Sequence, residues 1–163
     1  MHSISNIMSI LFLSTICVSY KIVSSKTKTG LSIEKTAIVE EGCENGVTNG
    51  TLIVVHYVGS FENGTQFDSS YNRNEPLKLI FNECPSTLIL GWIEGLQGMC
   101  VGEERKLIIP PHLGYGEQGK GIIPPNTTLH FDIKLIEMDK NPNSDMIKEI
   151  ENHFNCCGCK PEH

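Results

Sequence analysis

Several segments of this chain have the composition of β-strands, and in its central part only one segment has the periodicity of an α-helix. Residues 51–58 are rich in β-branched and aromatic side chains, and in residues 128–138 apolar and polar side chains alternate, which predicts a half-buried strand. Asn63 and Gly64 predict a tight hairpin turn. Residues 86–99 have apolar side chains at helical spacing, although their glycines should shorten the helix. Further strand signals cover residues 35–41, 65–68, 77–81 and 105–109. Together these signals predict an α+β domain of about 100 residues.

The composition and motifs argue against several function classes. The 163 residues carry 13 basic and 19 acidic side chains, a formal net charge of −6, so a nucleic-acid-binding surface is not expected. No apolar run reaches the ~20 residues that a membrane-spanning helix needs. The sequence contains no Gly-x-Ser-x-Gly motif, no His-Glu-x-x-His motif and no phosphate or dinucleotide loop. A hydrolase or metalloenzyme is therefore not indicated, and we expect no cofactor and no metal.

The N-terminus has the features of a secretory signal peptide, which we predict to span residues 1–25. An apolar stretch of signal-core length is followed by small residues at Val23 and Ser25, and Cys17 and Ser19 offer an earlier cleavage site. A retained anchor or a disordered leader is the alternative. Cleavage after Ser25 would remove Cys17 and leave six of the seven cysteines, an even number that suits an oxidising compartment.

Three sequons for N-linked glycosylation support the same compartment. Each lies beside a glycine or proline, where a loop can accommodate a glycan. The candidate acceptors are Asn49, Asn63 and Asn126. The sequence therefore predicts a protein of the secretory pathway, either resident in the endoplasmic reticulum lumen or secreted.

Four segments follow from these signals: a signal peptide (1–25), a flexible polar leader (26–34), a folded domain (35–139) and a tail (140–163). The tail combines an amphipathic helical pattern over residues 145–154 with clustered cysteines near its end. We expect the helix to pack on the core, with a dimerising or partner-binding segment as the alternative. In an oxidising compartment the clustered cysteines favour disulfides over a soft metal, and a disulfide-linked dimer is one possible product.

Six blocks of the sequence match one known family in order and spacing: His56-Tyr57-Val58-Gly59, Gly64-Thr65-Gln66-Phe67-Asp68-Ser69-Ser70, Arg73-Asn74-Glu75-Pro76, Gly91-Trp92-Ile93-Glu94-Gly95-Leu96, Leu113-Gly114-Tyr115-Gly116 and Gly121-Ile122-Ile123-Pro124-Pro125. Through these blocks the sequence resembles, from about residue 35 to residue 139, the FKBP-type peptidyl-prolyl cis-trans isomerases. The family implies a curved antiparallel sheet, a half-barrel, wrapped around one short α-helix, with a shallow apolar pocket between them. It implies an enzyme that rotates X-Pro bonds without a covalent intermediate. It also implies that macrolides such as tacrolimus and rapamycin bind the pocket.

The resemblance also implies the site residues. Trp92 matches the pocket floor, and the backbone N–H of Ile89 and the hydroxyl of Tyr115 match the donors that bind ligand carbonyls. Arg73 matches the residue that orients Asp68. The residues implied in catalysis are Tyr57, Phe67, Asp68, Trp92, Tyr115 and Phe131, and those implied in binding substrate or drug are Leu77, Leu88, Ile89 and Ile123.

Such a residue set suits bond rotation. Resonance holds an amide planar with a barrier of about 18–20 kcal/mol, yet the two X-Pro isomers differ by only about 1 kcal/mol. Because no bond to carbon breaks, neither a nucleophile nor a metal is required. The twisted amide is less polar than the planar one, so a dry pocket with a few placed donors binds it preferentially.

Within the family, the secretory-pathway branch is most similar and implies a disulfide between Cys43 and Cys100. Leu77 stands where an aromatic side chain is usual, which should widen the pocket. The expected partners are proline-containing polypeptides and macrolides, with no nucleic acid and no stable membrane span after signal cleavage. The alternative function is a non-catalytic chaperone or peptide-binding module that uses the same pocket.

Overall fold

The computed structural model of the chain describes residues 23–37, 46–82 and 88–143. In these residues a seven-stranded sheet, antiparallel throughout, surrounds one short helix, which confirms the predicted fold class. The strand order is β1-β2-β6-β7-β3-β4, and β5 also pairs with β3. The elements are β1 (Val23–Lys26), β2 (Ser32–Ala37), β3 (Leu52–Phe61), β4 (Gln66–Ser69), β5 (Leu77–Ile80), α1 (Leu90–Leu96), β6 (Glu104–Ile109) and β7 (Leu129–Asp139).

The two longest strands, β3 and β7, form the centre of the sheet. They pair along their whole length, from Leu52 opposite Asp139 to Phe61 opposite Leu129. The predicted alternation in β7 is confirmed, since Leu129, Phe131, Ile133 and Leu135 are buried while the intervening side chains are more exposed. On its other edge, β3 pairs with β5 through its first half and with β4 through its second half.

Helix α1 lies unusually close to β6 because two of its residues are glycines. A Cβ atom on Gly91 would lie 2.5 Å from Ile109 Cγ2, and one on Gly95 would lie 2.5 Å from Leu107 Cδ1. Real Cβ atoms do not approach other atoms so closely, so a larger residue at either position would push the helix away from the sheet. The glycines that weaken the helix in the sequence are therefore what allows it to pack.

Residues 26–34, predicted to be a flexible leader, instead form the turn of the β1–β2 hairpin and the strand residues on either side of it. β1 pairs with β2, and the turn between them is closed by the Thr27 N–H, which donates to the Leu31 carbonyl at 2.9 Å. Leu31 is fully buried in the core, and the Thr29 hydroxyl donates to the Glu94 carboxylate of α1 at 2.7 Å. The hairpin is polar because little of it faces the core, which explains why its composition suggested a leader. The predicted cleavage position after Ser25 falls inside β1.

A buried ion pair connects the end of α1 to β6. Arg105 donates from Nε to Glu103 Oε1 at 2.8 Å, and both side chains are almost completely buried. Its Nη1 also donates to the carbonyls of Gly95 at 2.7 Å and Gln97 at 3.0 Å. Since the last carbonyls of a helix have no partner within the helix, Arg105 satisfies groups that burial would otherwise leave unpaired.

Two further groups surround the Glu103 carboxylate. The Cys100 N–H donates to Oε2 at 2.9 Å, and Lys35 Nζ of β2 lies 3.3 Å from Oε1. Burial alone would raise the pKa of Glu103, but the hydrogen bonds from Arg105 and Cys100, with the nearby positive charges, lower it below the ordinary value. Glu103 is therefore ionised at neutral pH.

Several predictions concern residues outside the described ranges. They include Cys43, most of the signal segment, the tail helix and the clustered cysteines. Cys100 is disulfide-bonded. The Val47 N–H donates to the carbonyl of Met99, the residue before Cys100, at 2.9 Å. In the residues described, no helix is long and apolar enough to cross a membrane.

Candidate active site

One cavity of about 150 Å³ lies between α1 and the sheet, and it collects most of the predicted site residues. Its walls come from β3, β4, β5, β7, the segment before α1, the helix itself and the loop that contains Tyr115. Ile123 is buried in the adjoining core instead and does not line this cavity. The lining residues are Tyr57, Phe67, Asp68, Leu77, Leu88, Ile89, Trp92, Tyr115 and Phe131. Their roles in binding and catalysis stay predictions.

The aromatic side chains of the cavity pack edge to face. The Trp92 ring lies 5.3 Å from Tyr57 and 5.3 Å from Phe131, each at nearly right angles, and Phe67 meets Phe131 in the same way at 5.6 Å. Each such pair stabilises by about 0.5–1.5 kcal/mol beyond the area it buries. The rings therefore hold one another in place whether or not a ligand is bound.

Gly59 makes this aromatic packing possible. It lies opposite Phe131 of β7 and Asp68 of β4 in the sheet. A Cβ atom on Gly59 would lie 2.7 Å from the Phe67 ring and 2.9 Å from the Phe131 ring. Any side chain at this position would displace the rings that form the cavity wall.

Asp68 is held by a closed set of hydrogen bonds. The Tyr57 hydroxyl donates to Oδ2 at 2.5 Å, and the Ser69 N–H donates to Oδ1 at 2.8 Å. Arg73 donates from Nη1 to Oδ1 and from Nη2 to the Tyr57 hydroxyl at 2.8 Å, and its guanidinium lies 5.6 Å from the centre of the Tyr57 ring. The structure thus brings Arg73 to the residue it is predicted to orient.

The same contacts fix the protonation states. Burial would raise the pKa of Asp68, but the hydrogen bonds from Tyr57 and Arg73 outweigh it and lower that pKa below its usual value. Burial, reinforced by the hydrogen bond to Asp68, raises the pKa of the Tyr57 hydroxyl. At neutral pH the cavity therefore contains one carboxylate, paired with a cation and a neutral phenol.

Three donors at the cavity have no hydrogen-bond partner in the part of the chain that is described. One is the backbone N–H of Ile89, which precedes α1 in an extended conformation (φ −67°, ψ 150°). The second is the Tyr115 hydroxyl, whose pKa is raised by burial and by the charge of Asp68, so that it stays protonated. The third is the buried indole N–H of Trp92. An apolar cavity with unused donors is suited to a ligand that carries carbonyl groups.

Ser70 supports the site, a role that the sequence analysis did not predict. Its fully buried hydroxyl accepts a hydrogen bond from the Tyr57 N–H at 2.9 Å and donates to the Tyr57 carbonyl at 3.2 Å. His56 Nδ1 lies 2.9 Å from Ser70 Oγ, and the His56 ring stacks on the Tyr71 ring with a distance of 4.4 Å between the ring centres. Ser70 therefore positions the backbone of Tyr57 from behind the cavity. The only sequence signal for this role is its place in the block that contains Asp68.

Neither a metal-ligand cluster nor a candidate glycan acceptor lies at the cavity in the described residues. Within residues 23–37, 46–82 and 88–143, no cluster of three or more His, Cys, Asp or Glu side chains could hold a metal ion. The three candidate glycan acceptors, Asn49, Asn63 and Asn126, are exposed, and none of them lines the cavity.

The chain is similar to proteins of one family. Residues 43–136 match the family model of the FKBP-type peptidyl-prolyl cis-trans isomerases. The chain is 46% identical over 109 residues to FK506-binding protein 2 of Yarrowia lipolytica, which covers 66% of this chain and 74% of the relative. It is 43% identical over 136 residues to FK506-binding protein 2 of Candida glabrata, which covers 81% of this chain and 96% of the relative.

Solved structures agree with this similarity. FkpA from Escherichia coli superimposes with a TM-score of 0.64 at 38% identity, over 73% of this chain and 53% of FkpA. AtFKBP13 superimposes with a TM-score of 0.62 at 38% identity, over 72% of this chain and 99% of AtFKBP13.

Proposed function

The chain belongs to the FKBP-type peptidyl-prolyl cis-trans isomerase family, and we propose that it accelerates rotation about X-Pro bonds in polypeptides of the secretory pathway. The observation that carries this proposal is the cavity itself. It combines a packed aromatic floor with the Ile89 N–H and the Tyr115 hydroxyl, two donors that have no hydrogen-bond partner among the described residues.

The geometry supports catalysis by differential binding. A proline ring seated on Trp92 would leave water, and its amide would rotate in an apolar surrounding that disfavours the planar, polar form. Donors at Ile89 and Tyr115 would hold carbonyls on either side of the rotating bond. Because the Asp68 network already fixes Tyr57, the cavity need not reorganise when the transition state forms.

Macrolide binding is the second part of the proposal. The relatives in yeasts are named FK506-binding proteins, and the same carbonyl-binding donors suit a macrolide. Leu77 lines the cavity where the family resemblance leads us to expect an aromatic ring, so the wall is less bulky there. We therefore expect macrolides such as tacrolimus and rapamycin to bind and to compete with substrate.

The secretory location rests on features of this chain. The N-terminal apolar segment fits a signal peptide, three sequons have exposed asparagines, and Cys100 is disulfide-bonded. Disulfides persist in oxidising compartments. These features support the endoplasmic reticulum lumen or the extracellular space as the site of action.

The test is the isomerisation rate of a short Xaa-Pro peptide with the oxidised protein. Tyr115→Phe removes one neutral donor, so kcat/KM should fall roughly fivefold, the equivalent of one hydrogen bond. Tyr71→Phe is the matched control, because Tyr71 is 48% exposed and lies outside the cavity; its rate should equal that of the wild type. A folded protein that binds the peptide without accelerating its isomerisation would instead support a peptide-binding module.

A further inference from the structure

A second cleft, of about 590 Å³, lies beside the candidate active site. It separates the tip of the β3–β4 hairpin from the segment 124–128. The Phe61 ring stands between the two cavities, because it lines the cleft and lies 4.9 Å from Phe67 of the active site. The isomerase mechanism uses no residue of this cleft. Its lining residues are Phe61, Glu62, Asn63, Pro124, Asn126, Thr127 and Thr128.

The hairpin tip presents the side chain of Asn63 beside Phe61. The Gly64 N–H donates to the Phe61 carbonyl and the Phe61 N–H donates to the Thr65 carbonyl, both at 2.9 Å, while Gly64 has a φ of 83°. This is a three-residue hairpin connection that ends in a glycine bulge. Asn63 and Phe61 lie two residues apart in it and line the same cleft.

Asn63 uses one of its two amide atoms to stabilise the turn. Its Oδ1 accepts a hydrogen bond from the Thr65 N–H at 2.9 Å. Its Nδ2 makes no hydrogen bond to the described residues, and the side chain is exposed. Nδ2 is the atom that carries an N-linked glycan, and Thr65 supplies the hydroxyl of the sequon. The turn can therefore keep its hydrogen bonds after a sugar is attached.

We propose that Asn63 carries an N-linked glycan whose first N-acetylglucosamine packs on Phe61 inside this cleft. In the attachment step, the Nδ2–C1 bond forms while the bond from C1 to a lipid pyrophosphate donor breaks. The pyrophosphate leaves with the electron pair, and Nδ2 loses one proton. The C–H face of the sugar then meets the electron-rich face of the aromatic ring, while Thr127 and Glu62 provide polar groups at the cleft.

This packing would stabilise the part of the sheet that forms the active site. The turn connects β3 to β4, and β4 carries Phe67 and Asp68. Asn126 lies on the same cleft, but it is not joined to Phe61 by a hairpin turn, so we assign the cleft to the glycan of Asn63. The inference rests on the secretory route proposed above, and not on isomerase activity.

The test begins with site occupancy in the full chain, produced with its own leader in a eukaryotic secretory host. Peptide mass spectrometry should find Asn63 glycosylated. Asn63 unmodified in a protein that carries a glycan on Asn49 would overturn the inference while the secretory route stands. The absence of glycan from all three sequons would also overturn the inference, and whether the host secretes the protein tests the secretory route separately. Isomerisation of an Xaa-Pro peptide by the same sample tests the proposed enzyme independently.

The second measurement tests the contact with Phe61. Asn49→Asp and Asn126→Asp leave Asn63 as the one sequon acceptor, and Asp tolerates the positive φ of residue 126, 55°. Glycoprotein trimmed to a single N-acetylglucosamine is compared in urea with the unglycosylated protein. The sugar should lower the unfolding equilibrium constant roughly two- to tenfold, as one aromatic contact would. In the Phe61→Leu protein this effect should be less than about twofold. An equal effect in both proteins would overturn the inference.

Discussion

The buried ion pair between Glu103 and Arg105 should be a major determinant of stability, and Arg105→Met tests this. The substitution keeps an unbranched side chain but removes the guanidinium. It deprives the Glu103 carboxylate of its closest cation and leaves the carbonyls of Gly95 and Gln97 without their donor.

The loss of stability in Arg105→Met can be estimated from the contacts that remain around Glu103 and the two carbonyls. Breaking a buried ion pair by removing one partner costs about 3–5 kcal/mol. The lower end applies to Glu103, because the Cys100 N–H at 2.9 Å and Lys35 Nζ at 3.3 Å remain. The buried carbonyl of Gly95 adds about 1 kcal/mol, whereas water can reach the exposed Gln97. The expected loss is therefore about 4 kcal/mol, a large share of the 5–15 kcal/mol typical of a domain.

Urea unfolding at pH 7 measures this loss, with Lys106→Met as the matched control on the opposite face of β6. The control should change the free energy of unfolding by less than about 0.5 kcal/mol. Once Arg105 is absent, Glu103→Gln should add little, because the unpaired carboxylate has been removed as well. A cost below about 1 kcal/mol for Arg105→Met, or additive effects of the two substitutions, would show that the ion pair contributes little to stability.

Because of the ion pair between Glu103 and Arg105, the free energy of unfolding should depend on pH. The folded-state pKa of Glu103 lies below its ordinary value of 4.5, so its contribution to stability is present above pH 4.5 and is lost as the pH falls below that value. In Arg105→Met, loss of the hydrogen bond and charge of Arg105 raises the pKa of Glu103 relative to the wild type, while the Cys100 N–H and Lys35 still lower it. The difference in unfolding free energy between the wild type and the variant should therefore shrink as the pH falls from 7 to about 3.5. A difference in unfolding free energy that does not change with pH would contradict the role of the Glu103–Arg105 ion pair.

Two other predictions concern packing and covalent structure. Gly95→Ala should gain about 1 kcal/mol of helix propensity but lose about 1–3 kcal/mol to the contact with Leu107, where the new Cβ would lie at 2.5 Å. We therefore expect Gly95→Ala to be less stable than the wild type and to have a lower kcat/KM. The control is Leu90→Ala, at an exposed position of the same helix, which should match the wild type in both quantities. A Gly95→Ala protein more stable than the wild type would contradict the close packing. Cys43→Ser and Cys100→Ser should each cost roughly 3–5 kcal/mol, and the double variant should cost no more than either one. Thiol labelling of both cysteines in the unreduced, denatured wild type would disprove this pairing.

The strands and the single helix could be predicted because their patterns are local. Alternation over residues 128–138 identified both β7 and its buried face. In the β1–β2 hairpin only the end of β2 was predicted, by the strand signal over residues 35–41, of which residues 38–41 lie outside the described ranges. Residues 23–34 have no such signal, because their polar side chains are held by strand pairing and by one buried residue, Leu31. Its order depends on contacts with α1 that are distant in sequence, such as the bond between Thr29 and Glu94.

The candidate site was predictable as a set of residues, but its supporting contacts were not. The family resemblance identified the lining residues and Arg73. Residue alternation in β6 places Arg105 on the same face as Leu107 and Ile109, which could have indicated a buried arginine. Nothing in the local pattern, however, indicates that its partners are Glu103 and the end of α1. The position of Gly59 beneath two aromatic rings likewise depends on strand register, which arises only when the sheet forms.

Exchange NMR of a labelled Xaa-Pro peptide measures whether the cavity between α1 and the sheet catalyses X-Pro isomerisation. Without catalyst, the cis and trans forms exchange over about tens to hundreds of seconds and give separate, sharp signals. With a small fraction of wild-type protein, exchange cross-peaks should appear and should vanish when rapamycin is added. If the protein signals of Trp92 and Tyr115 shift on binding while the exchange rate stays at its uncatalysed value, the cavity binds the peptide without catalysing its isomerisation.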